Sequence, residues 1–330
     1  MAYPRETWSA ITSAKSDIGV PDMPITTPVL YDTQEVFKLP AMGKQISHGH
    51  LGQLLDDDVT IRRRTYATGG GINQCEILEL DDGRRLFVKT HAGGTLQGMY
   101  AAEANALELL AAPGVIQTPK ALAFDDNYLV LETFTEGRPA DDWQEQMGRG
   151  LALLHRATRQ DRFGFDSNNF LGTTLQENTW QSNWLEFFRD QRLGYQLRLL
   201  RATTSYEDPL ITACESLLDK LIDILRYDGE PAVLLHGDLW SGNAAANENG
   251  EPVIFDPASY YGNREAEFGM MRLFGGFNKR CEDAYQEVWP LRDGYERRFQ
   301  VYKLYHQLNH LNLFGRSYYG GCLDTIWSLI

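Results

Sequence analysis

The stretch AVLLHGDLWSGNAAANENGEPVIFDPASYYGNRE, residues 232 to 265, crowds His236, Asp238, Asn243 and Asp256 between two short apolar runs. One turn signal, here Asn249-Gly250, is enough for a hairpin, so the other polar residues need a chemical reason. Asp238 and Asn243 stand five positions apart, the D-x-x-x-x-N spacing of a phosphotransfer catalytic loop. In that chemistry the aspartate accepts the proton of an attacking hydroxyl and the asparagine helps to hold a magnesium ion. A metal-binding carboxylate should follow a short strand later, and Asp256 comes directly after PVIF. Mg²⁺ takes hard oxygen ligands and tolerates a site of few protein groups completed by phosphate oxygens. Alone, the spacing fits a polar turn capped by Asp and Asn just as well. HGD before it and IFDP after it favour the catalytic reading, with the two apolar runs expected to form one hairpin.

The partners of such a site should lie upstream. Lys89 ends the apolar strand LFVK, where an ammonium can reach the α- and β-phosphates of ATP. Glu103 follows 14 residues later near the start of a helix, placed to keep that lysine charged and oriented. Gly69, Gly70 and Gly71 in GGGIN sit between strands, where bare backbone can approach phosphates. Glu132, Thr133 and Phe134 in VLETFTEG are placed to offer backbone hydrogen bonds to an adenine edge. Taken singly these are ordinary features: a solvated strand-edge lysine, a glutamate in a first helical turn, a flexible turn, a strand entering a loop. They gain weight only together and in this order.

The elements that must position these groups fall into two kinds. Residues 59–67, 72–80 and 84–90 read as strands, the last two joined by a tight turn at Asp81-Asp82-Gly83. Residues 101–112 read as a helix closed by Pro113-Gly114, and 128–134 as a further strand. From about residue 140 the pattern turns helical, most clearly at 141–157, 181–200, 207–226 and 294–314. The expected fold is α+β and two-lobed: an irregular extension over 1–44, a small β-rich lobe over 45–135 that binds nucleotide, and a larger, mainly helical lobe over 136–330. At 330 residues, 43% apolar and 23% charged, the chain has ample material for such a core. A net charge of −14 argues against a general binder of nucleic acid or anionic membrane, so any anion must be met by a local nest, lysine or metal. Cys75, Cys214, Cys281 and Cys322 are widely spaced and read as free thiols. With no signal-like start and no apolar run of about 18 residues, a cytoplasmic protein without a membrane span is expected.

Several segments together resemble the fructosamine/ketosamine kinases, within the aminoglycoside-phosphotransferase-like branch of the protein-kinase fold. They include GGGIN, FVK, AAEANALELL, FGFDSNNFLGTTLQENTW, HGDLWSGN, FDPASYYGNRE, RLFGGF and LYHQLNHLNLFG, spread over about residues 45 to 325. The resemblance implies phosphorylation by ATP of the 3-hydroxyl of a ketosamine, the adduct of a sugar with a small amine or a protein lysine, followed by breakdown of the unstable phosphate. It further implies Asp238 as general base, Asn243 and Asp256 as Mg²⁺ ligands, Lys89 and Glu103 as the phosphate anchor, and Trp240 as part of the wall receiving the sugar. The sequence departs from the family pattern at Glu267, where an aspartate is usual, and at Gly71, where some relatives carry a cysteine. His306 and His310 are spaced as in a zinc protease, but Gln307 cannot serve as its base, so packing or cleft lining is expected of them. Tyr302, Tyr305, Phe314, Tyr318 and Tyr319 read as core, His155 as a structural helix-end residue, and Arg62 to Arg64 as a mixed strand face. Two rivals remain: a kinase for another alcohol, such as an aminoglycoside or amino alcohol, and a pseudokinase that binds nucleotide without turnover.

Overall fold

Strict alternation in the first strands gives a sheet with two dissimilar faces. The structure, a computed structural model, describes residues 45–67, 73–91, 96–205, 207–226 and 229–330. The glycines at 69–71 and the extension over 1–44 lie outside the described residues. Helix α1 (His48–Leu55) is capped by Ser47, whose hydroxyl accepts from the His50 N–H at 3.2 Å. Strands β1 (Ile61–Ala67), β2 (Asn73–Leu80) and β3 (Arg85–His91) follow, then α2 (Met99–Ala111), β4 (Ala121–Phe124) and β5 (Tyr128–Glu132). The strands form one antiparallel sheet in the order β1-β2-β3-β5-β4. Leu78, Leu80, Leu86, Val88 and Val130 bury one face under Leu51 of α1. Leu129 and Leu131 bury the other against Tyr100, Ala104 and Leu107 of α2. Because side chains alternate along a strand, Lys89 points to the α2 face, with Phe87. Among the three arginines at the sheet edge, Arg64 donates to Glu76 at 2.9 Å and Arg63 lies 4.0 Å from Glu79.

The remainder is a helical layer threaded by short ladders. Helix α3 (Trp143–Ala157) is followed by the hairpin β6 (Asn169–Leu171) and β7 (Thr174–Gln176). The expected continuous helix over 181–200 is broken into α4 (Trp184–Phe188), a π turn over Arg189–Leu193, and α5 (Gly194–Thr203). Asn183 caps α4, and the π turn directs Arg192 inward, where its guanidinium stacks on the rings of Tyr260 and Phe187 at 3.9 and 4.5 Å. Helix α6 (Pro209–Leu225) precedes β8 (Val233–Leu235), β9 (Ala244–Ala246), β10 (Pro252–Ile254) and β11 (Tyr260–Gly262). Helices α7 (Glu267–Leu273), α8 (Lys279–Val288), α9 (Tyr295–Phe314) and α10 (Tyr319–Leu329) close the chain. Phe299, Val301, Tyr302, Leu304, Tyr305, Leu308 and Leu311 of α9 run through the main core.

One expectation is overturned here. The apolar runs at 232–235 and 252–255 do not pair with each other: β8 pairs with β11, and β10 pairs with β9. The Asn249-Gly250 turn closes only the small β9–β10 hairpin, so the two polar loops are brought together by two separate ladders. No helix among the described residues is long and apolar enough to cross a membrane.

Candidate active site

Strand β8 is fully buried and delivers the chain into His236, Gly237 and Asp238. Gly237 takes φ +82°, and a Cβ there would collide with the Ala258 carbonyl oxygen, so only glycine fits. The Glu267 carboxylate grips this loop from below, accepting the His236 N–H at 2.6 Å and the Gly237 N–H at 3.0 Å. His236 Nε2 donates to the Phe255 carbonyl at 2.9 Å, which leaves Nδ1 to accept the Asp238 N–H at 3.3 Å. One imidazole thus ties the loop carrying Asp238 to the loop carrying Asp256. Asn243, on a 3₁₀ turn, donates from Nδ2 to the Asp238 carbonyl at 2.8 Å and to its carboxylate at 3.1 Å. Its Oδ1 is thereby turned to other use. Asp256 is held at φ +59°, a conformation non-glycine residues rarely adopt and one that clusters at functional sites.

The charges here depend on burial. Burial raises the Asp238 carboxyl to about 8, the Asn243 amide opposing this and the Glu267 charge adding to it. Burial acts against the ionised form of Glu267 too, but His155, His236 and the loop N–H groups outweigh it and hold that carboxyl below its ordinary value. Burial also lowers His155 and His236, which stay neutral. His155 is more than a helix-end residue: it lies 3.7 Å from Glu267 and 2.9 Å from the Tyr285 hydroxyl, joining α3 to the base of the catalytic loop.

Opposite stands the sheet. Lys89, only 3% exposed, donates to Glu103 at 2.6 Å and also touches Asp256 Oδ1. Helical spacing from Tyr100 and Leu107 puts Glu103 on the sheet-facing side of α2, so the pair forms where the two elements pack. Lys89, Glu103, Asp238, Trp240, Asn243 and Asp256 all line one cleft of about 420 Å³. Cys75, paired with Lys89 across β2 and β3, lines it as well, its thiol pushed up by burial. Glu132, Thr133 and Phe134 lie at the exit of the sheet and are not among the residues lining this cleft. Thr133 donates to the Arg85 carbonyl at 3.2 Å, and the Phe134 ring lies 6.2 Å from that of Phe255. Among the described residues no group of three or more His, Cys, Asp or Glu could hold a metal. One carboxylate and one carboxamide, Asp256 and Asn243, suit a hard cation whose remaining ligands are phosphate oxygens and water.

A carboxyl group poised beside a lysine and a carboxamide is a layout suited to phosphoryl transfer. The family model for fructosamine kinase matches residues 42–330. The chain belongs to the fructosamine kinase family. It is 38% identical over 301 residues to a probable ketoamine kinase of Synechocystis sp., covering 90% of this chain and 95% of that protein. A chloroplastic protein-ribulosamine 3-kinase of Arabidopsis thaliana is 39% identical over 265 residues, 78% of this chain and 79% of the other. The crystal structure of a candidate fructosamine-3-kinase from Thermobifida fusca superposes with a TM-score of 0.77 at 32% identity, covering 86% of this chain and 97% of that one. An aminoglycoside phosphotransferase and a choline kinase share the fold alone, at 12% and 16% identity. The α+β, protein-kinase-like fold expected from the motifs is therefore the fold of this chain.

What the fructosamine kinase motifs did not make legible one residue at a time is the far end of the cleft. Phe170, Leu171 and Gly172 of the β6–β7 hairpin line it, as do Phe274, Asn309, His310, Phe314 and Tyr318. Phe314 is thus a cleft residue rather than core, Tyr318 lines the cleft while packing against the core, and Tyr302 and Tyr305 are buried as expected. Their signal was present in the sequence: His310, Phe314 and Tyr318 recur every four positions. His306 is buried beside Tyr305 and separated in role from His310, which faces the cleft.

Proposed function

We propose that this fructosamine kinase family member transfers the γ-phosphoryl group of ATP to the 3-hydroxyl of a ketosamine, small or protein-bound. The phosphorylated adduct then breaks down and frees the amine, which makes the reaction a deglycation. Asp238 orients the hydroxyl and takes its proton, a contribution of about 10²–10⁴ in rate. Lys89, fixed by Glu103, binds the α- and β-phosphates and disperses their charge. Asn243 Oδ1 and Asp256 would hold Mg²⁺, which when bound neutralises the charge on the phosphates. Residues 69–71 would cover the phosphates, and 132–134 would receive the adenine edge at the junction of a nucleotide lobe over 45–135 and a catalytic lobe over 136–330. Trp240, two residues beyond the base, would form the wall against the sugar. Free thiols at all four cysteines support a reducing, cytoplasmic setting.

The observation that carries the substrate reading is the charge of the cleft. Among the described residues, the carboxyl groups lining it are those of Glu103, Asp238 and Asp256, each engaged at the proposed nucleotide or catalytic end. The acceptor end offers rings, backbone and the carboxamide of Asn309. A polycationic aminoglycoside would be held better by an acidic acceptor end, while a sugar bearing one amine suits this one. Lys89, Asp238, Asn243 and Asp256 are all in place, which disfavours the pseudokinase. A panel measuring ADP release with fructosamine, ribulosamine, an aminoglycoside and choline tests the reading. Turnover confined to the ketosamines is expected, and preference for either of the other two would sink it.

A further inference from the structure

Beyond Trp240 the cleft continues as a run of rings that no step of phosphoryl transfer uses. The Trp240 and Phe274 centroids lie 5.5 Å apart, Phe274 and His310 4.8 Å, and His310 and Phe314 5.4 Å. They come from the catalytic loop, the residue ending α7, and the last turns of α9. Phe274 is 39% exposed and Phe314 52%, although both belong to the wall of a cleft. Open rings in a concave site are contact surface rather than core. The indole of Trp240 lies directly over Gly242, where any Cβ would collide with it, so the first ring of the run is seated on bare backbone.

His310 is the polar member. Its Nδ1 lies 2.8 Å from the His306 carbonyl oxygen. A carbonyl can only accept, so the proton sits on Nδ1 and the neutral ring keeps its lone pair on Nε2. Burial favours that neutral form, the bond to His306 opposing it. Nε2 has no protein partner among the described residues. A cation entering this end of the cleft therefore meets π faces and one nitrogen lone pair, and among the described lining residues Asp238, two positions before Trp240, carries the carboxyl group at the start of the run.

We propose that Phe274, His310 and Phe314, continuing from Trp240, form the subsite for the protonated secondary amine of the substrate, the rings holding the cation and His310 Nε2 accepting one of its N–H bonds. The inference rests on the ketosamine reading above. In a ketosamine the nitrogen sits on the carbon next to the carbonyl, close beside the 3-hydroxyl. An amine presented to the rings beside Trp240 therefore leaves that hydroxyl near Asp238. Aromatic faces attract alkylammonium groups, most strongly where water is excluded. This subsite sorts ketosamines from free ketoses and from uncharged ether adducts of the same shape.

The test compares kcat/KM for an N-alkyl ribulosamine and for its 1-O-alkyl ether analogue, in the wild type, Phe274→Leu and His310→Phe. The wild type is expected to prefer the amine, and Phe274→Leu to shrink that preference by about ten-fold. His310→Phe keeps a ring but removes the acceptor and should shrink it less, chiefly through KM. Variants that lose amine and ether substrates in equal proportion would overturn the subsite, as would a wild type indifferent between them. Tryptophan fluorescence titrated with N-methylbutylammonium and with methyl butyl ether separates the two levels of the account. Selective binding of the ammonium, lost in Phe274→Leu, with no ketosamine turned over, would keep the subsite and sink the substrate assignment. Ketosamine turnover with no preference for the amine would do the reverse.

Discussion

The two ends of the cleft are built from different materials. At the end proposed for the nucleotide, buried Lys89 and Glu103 and the more open Asp256 form an ionic cluster between the sheet and the polar loops. At the acceptor end, Trp240, Phe274, His310 and Phe314 present open rings and a neutral imidazole. The difference follows the chemistry each end must serve. Triphosphate charge is constant from one reaction to the next and is matched by fixed charges at short range. The acceptor carries a single cation amid hydroxyls, and an ionic partner there would hold it too indiscriminately. Between the two ends the catalytic loop depends on neither: its backbone is fastened from beneath by Glu267 and His236.

The contrast can be broken at each level, beginning with the largest effect. Asp238→Asn keeps the side-chain shape and removes the proton acceptor. A fall in kcat of about 10²–10⁴-fold with a nearly unchanged ketosamine KM is expected in steady-state ADP release. A loss expressed in KM alone would make Asp238 a binding group instead. Lys89→Met should cost about 10²–10³-fold, expressed toward ATP and not toward the ketosamine. Equal weakening of both substrates would mean that the two ends are not separate.

Glu267→Gln tests the fastening. Two backbone N–H groups now share two carboxylate oxygens, and the amide would turn a donor toward one of them. A loss of about 1–3 kcal/mol in urea unfolding is expected, with kcat reduced as the loop loosens. An unchanged midpoint would contradict the brace.

The smallest effect is a pH dependence of stability. His155 and His236 are buried neutral, and burial, with the nearby His310 and Arg192 adding to it, pushes His306 down to about 3. Unfolded chains take up protons on these rings below about pH 6.5, whereas the folded protein takes them up only at lower pH, so the stability these rings contribute falls as pH falls. Glu267, held below its ordinary value, acts in the same direction at lower pH, its contribution being lost as pH falls through its folded value. His306→Gln should flatten the decline between about pH 6 and about pH 4 by about 1.4 kcal/mol per pH unit. A slope identical to that of the wild type would show that His306 is protonated in the folded state.

How much of this was legible follows from where the information sits. Asp238, Asn243, Asp256, Lys89 and Glu103 could be singled out because local spacing on short strands and loops marks them, and the structure brings all five to one cleft, where their roles are the ones proposed above. The same local reading joined 232–235 to 252–255 as one hairpin, because adjacency in sequence is the only pairing signal that alternation supplies. The true partner of β8, residues 260–262, is a three-residue strand selected by tertiary packing. The break in the helix over 181–200 escaped for a similar reason: only the aromatic bed around Arg192 favours the π turn there. Phe314 reads as core from sequence because a helical aromatic stripe looks the same whether it faces a core or a cleft. At Glu267 the sequence showed a departure from the family, and only the hydrogen bonds showed that the longer side chain still reaches both N–H groups.

The most direct measurement is ³¹P NMR of the protein with Mg-ATP and a ribulosamine, recorded together with ADP release. The account predicts one new sugar phosphomonoester, at the 3-position, formed in step with ADP and followed by release of the free amine. ADP accumulating without a sugar phosphate, or phosphate appearing on another hydroxyl, would contradict the placement of the ketosamine between Asp238 and the ring-lined end of the cleft.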